Sequence, residues 1–167
     1  MVTTEDGFSQ VVYKVNEGGV SYLRDIEFVG NSAFKSKELR KQMASRETSL
    51  LSGILGSGKL DNNVLSDDID AIEKLYRDSG YLNARVVDTR RVRVTDKKVD
   101  LVITIDEGDV YTVNEVRVAG ARAFNVGDLT PYLSTTGGQR FSAQNIENDI
   151  DALRDYYGPR GYACLLY

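Results

Sequence analysis

The chain has 167 residues, 41% hydrophobic and 28% charged, with a net charge of -4 at pH 7; this is globular composition, and it implies no basic face for nucleic acid. It has no histidine, no tryptophan and a single cysteine, Cys164, so the commonest general base and metal ligand are missing, and neither an internal disulfide nor a cysteine zinc site can form. No apolar run approaches the roughly 20 residues that span a bilayer, and residues 2–10 are too polar for a signal peptide, so the chain reads as a soluble piece of something longer, with no metal and no cofactor.

In chain order, the first element is an extended run, Val11-Val-Tyr-Lys-Val-Asn-Glu-Gly18. Ile26 and Phe28 then alternate with Asp25 and Glu27, the period of a half-buried strand, and Gly30-Asn31 marks its turn. A short helix from 36 or 37 to about 44 carries Leu39 and Met43 on one face. After an intervening segment, Leu65, Ile69, Ile72 and Tyr76 fall at spacings of 4, 3 and 4, the apolar stripe of an amphipathic helix. Asp61 suits its N-cap and Gly80 its end. Residues 81–94 read as a long strand rich in valine and arginine, turned by Asp96-Lys97-Lys98. Val99, Leu101, Ile103 and Ile105 alternate with Asp100, Thr104 and Asp106, and only Val102 breaks the polar side.

From there the pattern starts again. The helix end Asp68-Ile-Asp-Ala-Ile-Glu-Lys-Leu-Tyr-Arg-Asp-Ser-Gly-Tyr81 returns 81 residues later as Asp149-Ile-Asp-Ala-Leu-Arg-Asp-Tyr-Tyr-Gly-Pro-Arg-Gly-Tyr162, with seven of fourteen positions identical. Ile26-Glu-Phe-Val-Gly30 and Ala33-Phe34 return 90 residues later as Val116-Arg-Val-Ala-Gly120 and Ala123-Phe124. The run from Val11 to Gly18 returns as Leu101-Val-Ile-Thr-Ile-Asp-Glu-Gly108, also at 90. The two offsets place about nine extra residues in the first copy, within 47–59. The expected units are therefore the final strand of a preceding module (1–19), one complete module (20–108), and a second (109–167) without its last strand. Each is α+β, in the order strand, helix, helix, strand, strand. Two antiparallel helices lie on one face of a three-stranded sheet and bury every stripe named.

Several motifs have a plain structural reading. Gly53-Ile-Leu-Gly-Ser-Gly-Lys59 almost spells a phosphate-binding loop, but Leu60 stands where Ser or Thr would hold magnesium. A loop with Leu50, Leu51, Ile54 and Leu55 packing on its own module, or on a partner, accounts for it. Asp67, Asp68 and Asp70, repeated as Glu147, Asp149 and Asp151, sit in the first half of a helix, where carboxylates suit the dipole better than calcium or acid-base chemistry. Tyr81 and Tyr162 read as plugs between helix and sheet, and Cys164 as a small hydrophobe.

These residues resemble the POTRA (polypeptide-transport-associated) modules of outer-membrane protein assembly factors, the BamA family. The likeness rests on V-G-N before A-F (Val29, Gly30, Asn31, Ala33, Phe34), on D-I-x-x-I/L-x-x-x-Y-x-x-x-G-Y, and on the closing I-x-E-G. The structural motif residues are thus Gly30, Phe34, Gly80, Tyr81, Gly108, Gly120, Phe124, Gly161 and Tyr162. The resemblance implies a tandem of POTRA modules with a mixed sheet, lodged in the periplasm as part of an outer-membrane protein. It implies a scaffold and not an enzyme, binding unfolded outer-membrane proteins and accessory proteins of the assembly machinery. Any membrane contact would pass through a barrel that this chain does not contain. Modules of this type also occur in two-partner secretion and protein-import transporters, which is the alternative reading; nucleotide binding by the loop from Gly53 to Lys59 is a distant one. In the family, the strand over 81–94 is a sheet edge. Ala84, Arg85, Val86, Val87, Asp88, Thr89, Arg90, Arg91, Val92 and Arg93 are therefore the expected partner-binding edge. Its arginines serve either to discourage aggregation or to flank an accepted strand, and both readings stand. The run from Val11 to Val15 also raises a strand-exchanged homo-oligomer.

Overall fold

The computed structural model describes residues 2–5, 8–11, 13, 21–47 and 58–162. Residues 48–57, Cys164 and most of the run from Val11 to Val15 lie outside these, and with them the expectations placed there. At the amino end, β1 (Val2–Glu5) and β2 (Phe8–Val11) form an antiparallel hairpin pairing Val2 with Val11 and Glu5 with Phe8. The sequence expects extended structure only from Val11 onward. The hairpin nevertheless lies 90 residues before Val92 to Leu101, which form a second hairpin, and its polar residues had hidden it.

The first module is a three-stranded sheet in the order β3 (Tyr22–Val29), β5 (Lys98–Asp106), β4 (Arg85–Arg93). β3 runs parallel to β5 and β4 antiparallel to it, so the sheet is mixed. β4 starts later than the 81–94 reading, because residues 82 and 83 form a turn. The central place of β5 explains Val102: its register partners Glu27 and Arg90 flank it on the outer face, and it is buried although it breaks the alternation. Leu101, Ile103 and Ile105 point the other way, toward α1 (Ser36–Gln42) and α2 (Asn62–Asp78). With Leu23, Ile26, Phe28, Leu39, Met43, Leu65, Ile72 and Tyr76 they form one core. Each such side chain contributes roughly 1.5–3 kcal/mol through burial.

The chain closes each module with the same polar bonds. Asp68, 1% exposed, is not a dipole carboxylate at the surface but a buried acceptor for the Ala44 and Ser45 N–H groups. Asp149 repeats this on Ser134 and Thr135 at 2.5 and 3.0 Å. The α2 cap is Asp61, accepting from Asn63 N–H, and that of the matching helix is Ser142, accepting from Asn145 N–H. Tyr76 sits edge-on between Phe34 (4.9 Å) and Tyr81 (5.7 Å), and Tyr157 between Phe124 (5.1 Å) and Tyr162 (5.8 Å). The Tyr76 hydroxyl donates to Glu107 Oε1 at 2.8 Å, and Glu107 also accepts from Ala33 N–H. Burial, then that carboxylate, holds the Tyr76 phenol well above its ordinary value.

The second module contains α3 (Val126–Leu129) and α4 (Ala143–Tyr157). The strand expected at Val116 to Ala119 is not formed: among the described residues no strand pairs with it. In the first module that place is held against β5, and among the described residues no segment plays that part here. The expected burial of the second helical stripe fails for the same reason. Ile146 is 37% exposed where its counterpart Leu65 is 5%, and Tyr162 stays exposed where the sequence expects a plug.

Burial pushes the Asp149 carboxyl upward, but the donors at Ser134 and Thr135 outweigh it, so the group sits below the usual carboxylate range. Among the described residues the buried Thr135 hydroxyl has no hydrogen-bond partner, which leaves the two backbone N–H groups as the bonded donors. A carboxyl held low in the fold stabilises it fully above the unfolded value of about 3.8, and that stability disappears as pH falls through the lower folded value. Asp149→Asn should therefore flatten the acid limb of second-module unfolding, read by amide exchange of α4 across pH 2–5 (roughly the span in which a lowered carboxylate titrates). An unchanged acid limb would contradict this.

Candidate binding edge

The three-stranded sheet has two outer strands, and the chain treats them differently. β3 is covered. Leu23 N–H donates to Gly58 C=O at 2.7 Å, Leu60 N–H to Ser21 C=O at 3.0 Å, and Tyr22 bridges Lys59. Further along, Ile26 N–H donates to Asp25 Oδ1 and Glu47 Oε1, and Ile26 C=O accepts from the Arg40 guanidinium. Lys59 therefore lies in an extended bridge, and α2 opens only at Asn62, whereas a phosphate-binding loop runs directly into a helix at its lysine.

Among the described residues, β4 pairs with β5 on one side only. The Val94 N–H to Lys98 C=O bond, 2.9 Å, sets the phase of the ladder. Antiparallel pairs alternate between bonded and unbonded, so Val92 and Arg90 face β5 with their backbone groups. Thr89, Arg91 and Arg93 turn theirs outward. A bulge between Val86 and Asp88 ends this pattern, and there Val86 N–H donates to Glu73 Oε1 of α2 at 2.9 Å. The vacant stretch is thus Asp88 to Arg93, shorter than the sequence expects. Ala84 is 5% exposed, part of the core and not of the edge. Val87, at the bulge, is half exposed.

The four arginines divide. Arg85 is paired with Asp106 at 3.3 Å. Arg91 donates to the neutral Asn62 side chain on α2. Arg90 and Arg93 make no hydrogen bond or ion pair among the described residues. On the other side of the sheet, Arg24 is matched by Asp100, with Nε to Oδ1 at 2.7 Å.

The modules meet through a short junction. Tyr111 N–H donates to Gly80 C=O at 2.8 Å, Asn83 Nδ2 to Tyr111 Oη at 2.8 Å, and Gln144 N–H to Asp78 Oδ1 at 2.8 Å. Lys74 reaches Glu147 at 3.6 Å. Gly80 has φ +91 and the Arg140 side chain lies where its Cβ would be, so only glycine fits. Gly161, its counterpart, has no such neighbour among the described residues; Gly108, at the link itself, lies against Asn83. Sequence reasoning missed Asp78, Asn83, Glu73 and the bonding roles of Asp68 and Glu107. For Asp68 and Glu107 the signal was present, since both recur in the repeat.

Small modules of this βααββ order, set in series, form a class of two-layer sheet-and-helix units. The family model POTRA, described as "Surface antigen variable number repeat", matches residues 21–108 and 111–164, and the chain belongs to that family. A protein of Treponema pallidum (strain Nichols), described as a candidate outer membrane protein assembly factor, is 30% identical over 166 residues, 95% of this chain and 19% of that protein. Outer membrane protein assembly factor BamA of Neisseria meningitidis serogroup B is 24% identical over 151 residues, 89% of this chain and 19% of that protein. The chain thus spans about a fifth of the length of these relatives. The crystal structure of Haemophilus influenzae BamA POTRA3-5 superposes with a TM-score of 0.66 at 25% identity, covering 87% of this chain and 57% of that one. BamA of Haemophilus ducreyi lacking POTRA domains 1-3 shares the fold, with a TM-score of 0.52 at 21% identity over 68% of this chain and 23% of that one. Among the described residues, no helix is long and apolar enough to cross a membrane.

Proposed function

We propose that this chain is a periplasmic stretch of an outer-membrane protein assembly factor, holding unfolded outer-membrane proteins or accessory partners by β-augmentation on β4. No covalent step is involved. The hairpin β1–β2 belongs, on this reading, to the end of a preceding module, residues 20–108 form one complete module, and 109–167 begin the next. The observation that carries the reading is the contrast between the two outer strands: side chains and the 58–60 segment close β3, while the outward groups of Thr89, Arg91 and Arg93 have no strand partner among the described residues. Backbone pairing gives affinity with little dependence on sequence, which suits many clients. The relatives named above are assembly factors, which favours this over a secretion transporter.

Titrating an unfolded outer-membrane-protein peptide into the chain should shift amide resonances of Asp88 to Arg93 and of the facing side of α2, and slow exchange at Thr89, Arg91 and Arg93. Shifts confined to β3 or to the second module would defeat edge pairing.

A further inference from the structure

The vacant edge carries unmatched charge in one place. Arg91 and Arg93 are two residues apart, so they share a sheet face. Their register partners Leu101 and Val99 are core residues, which places both arginines on the face toward the helices. Arg91 reaches Asn62, the first residue of α2, and that bond brings no negative charge. Arg93 has no partner among the described residues. Asp61, which precedes α2, keeps its carboxylate on Asn63 N–H. By contrast Arg24 and Arg85 have carboxylate partners, and Arg90 lies beside Asp88 on the outer face. In a chain of net charge -4, two uncompensated cations on one side of one edge are a local feature, and the N-terminus of α2 adds positive potential there.

An added strand places alternate side chains on that same face, with direct neighbours about 5 Å from Arg91 and Arg93. We propose that the β4 edge selects extended segments carrying two carboxylates in an Asp/Glu-x-Asp/Glu pattern on the face toward α2. This rests on the strand-pairing reading and adds selectivity to it. The bulge and the Glu73–Val86 bond cap the site at one end, so the window is about six residues and the register of the two acids is fixed.

The test uses the 167-residue chain and blocked heptapeptides Thr-Val-X-Val-X-Val-Thr with X as Glu, Gln or Lys. The Glu peptide should bind at least about fivefold tighter than the Gln peptide, as two exposed ion pairs allow, with Lys weakest. Arg91→Gln with Arg93→Gln should remove the preference, and Arg91→Glu with Arg93→Glu should invert it toward Lys. Raising salt to about 0.5 M should also erase it, since exposed pairs are screened. If all three peptides bind equally and slow exchange at Thr89, Arg91 and Arg93, the selectivity is wrong while strand pairing stands. If none slows exchange there, strand pairing itself fails and this proposal falls with it.

Discussion

Gly30→Val is expected to unfold the first module and leave the second intact. Gly30 ends β3 at φ +86, a conformation that costs an L-residue about 1–2 kcal/mol. A Cβ there would lie 2.2 Å from the Ile105 carbonyl oxygen, which belongs to central β5. That oxygen cannot yield without disturbing the register of β5 with both neighbours. The combined cost should exceed about 3 kcal/mol, at the upper end for single substitutions. Gly120→Val is the matched control. It holds the equivalent place in the repeat at φ +78, with nothing among the described residues within 4 Å of the added Cβ, so only the backbone cost of about 1–2 kcal/mol applies. Amide exchange at Leu101 and Ile103 reads the first module directly. Equal losses for the two variants would show that the approach of β5, and not φ alone, had been misjudged.

Asp68→Ala is expected to cost roughly 1–3 kcal/mol, because two partly buried backbone donors, Ala44 and Ser45 N–H, lose their acceptor. Asp68→Asn keeps one oxygen and should lose less. Asp149→Ala removes the same bonds in a less buried setting, so its effect on the second module should be smaller. The comparison is made by urea unfolding followed through the exchange of α2 and α4 amides. If Asp68→Ala proves neutral, the loop after α1 is not anchored by this carboxylate.

The fold was legible because local periodicity and repetition coincide. The 4, 3, 4 stripe from Leu65 to Tyr76, the caps Asp61 and Ser142, and the alternating Val99 to Ile105 each recur or answer a partner at 81 or 90 residues. Tertiary packing therefore had little to override. Ala84 was misassigned for a local reason: residues 82 and 83 turn before the strand starts, and a small apolar residue between them and Arg85 carries no signal of which side it faces. The strand expected at Val116 was misjudged because a strand is held by its neighbour, and no described segment supplies one.

The sequence by itself determined the module order, the helix stripes and the repeat. Those properties depend on residues close in the chain or on copies of themselves. Only the tertiary structure decided that β3 is closed by Lys59, Glu47 and Arg40 while β4 stays vacant, that Asp68 anchors a loop, and which arginines lack a counter-charge. Each of these depends on atoms brought together from distant positions, and hydrogen bonds and ion pairs act only over a few ångströms.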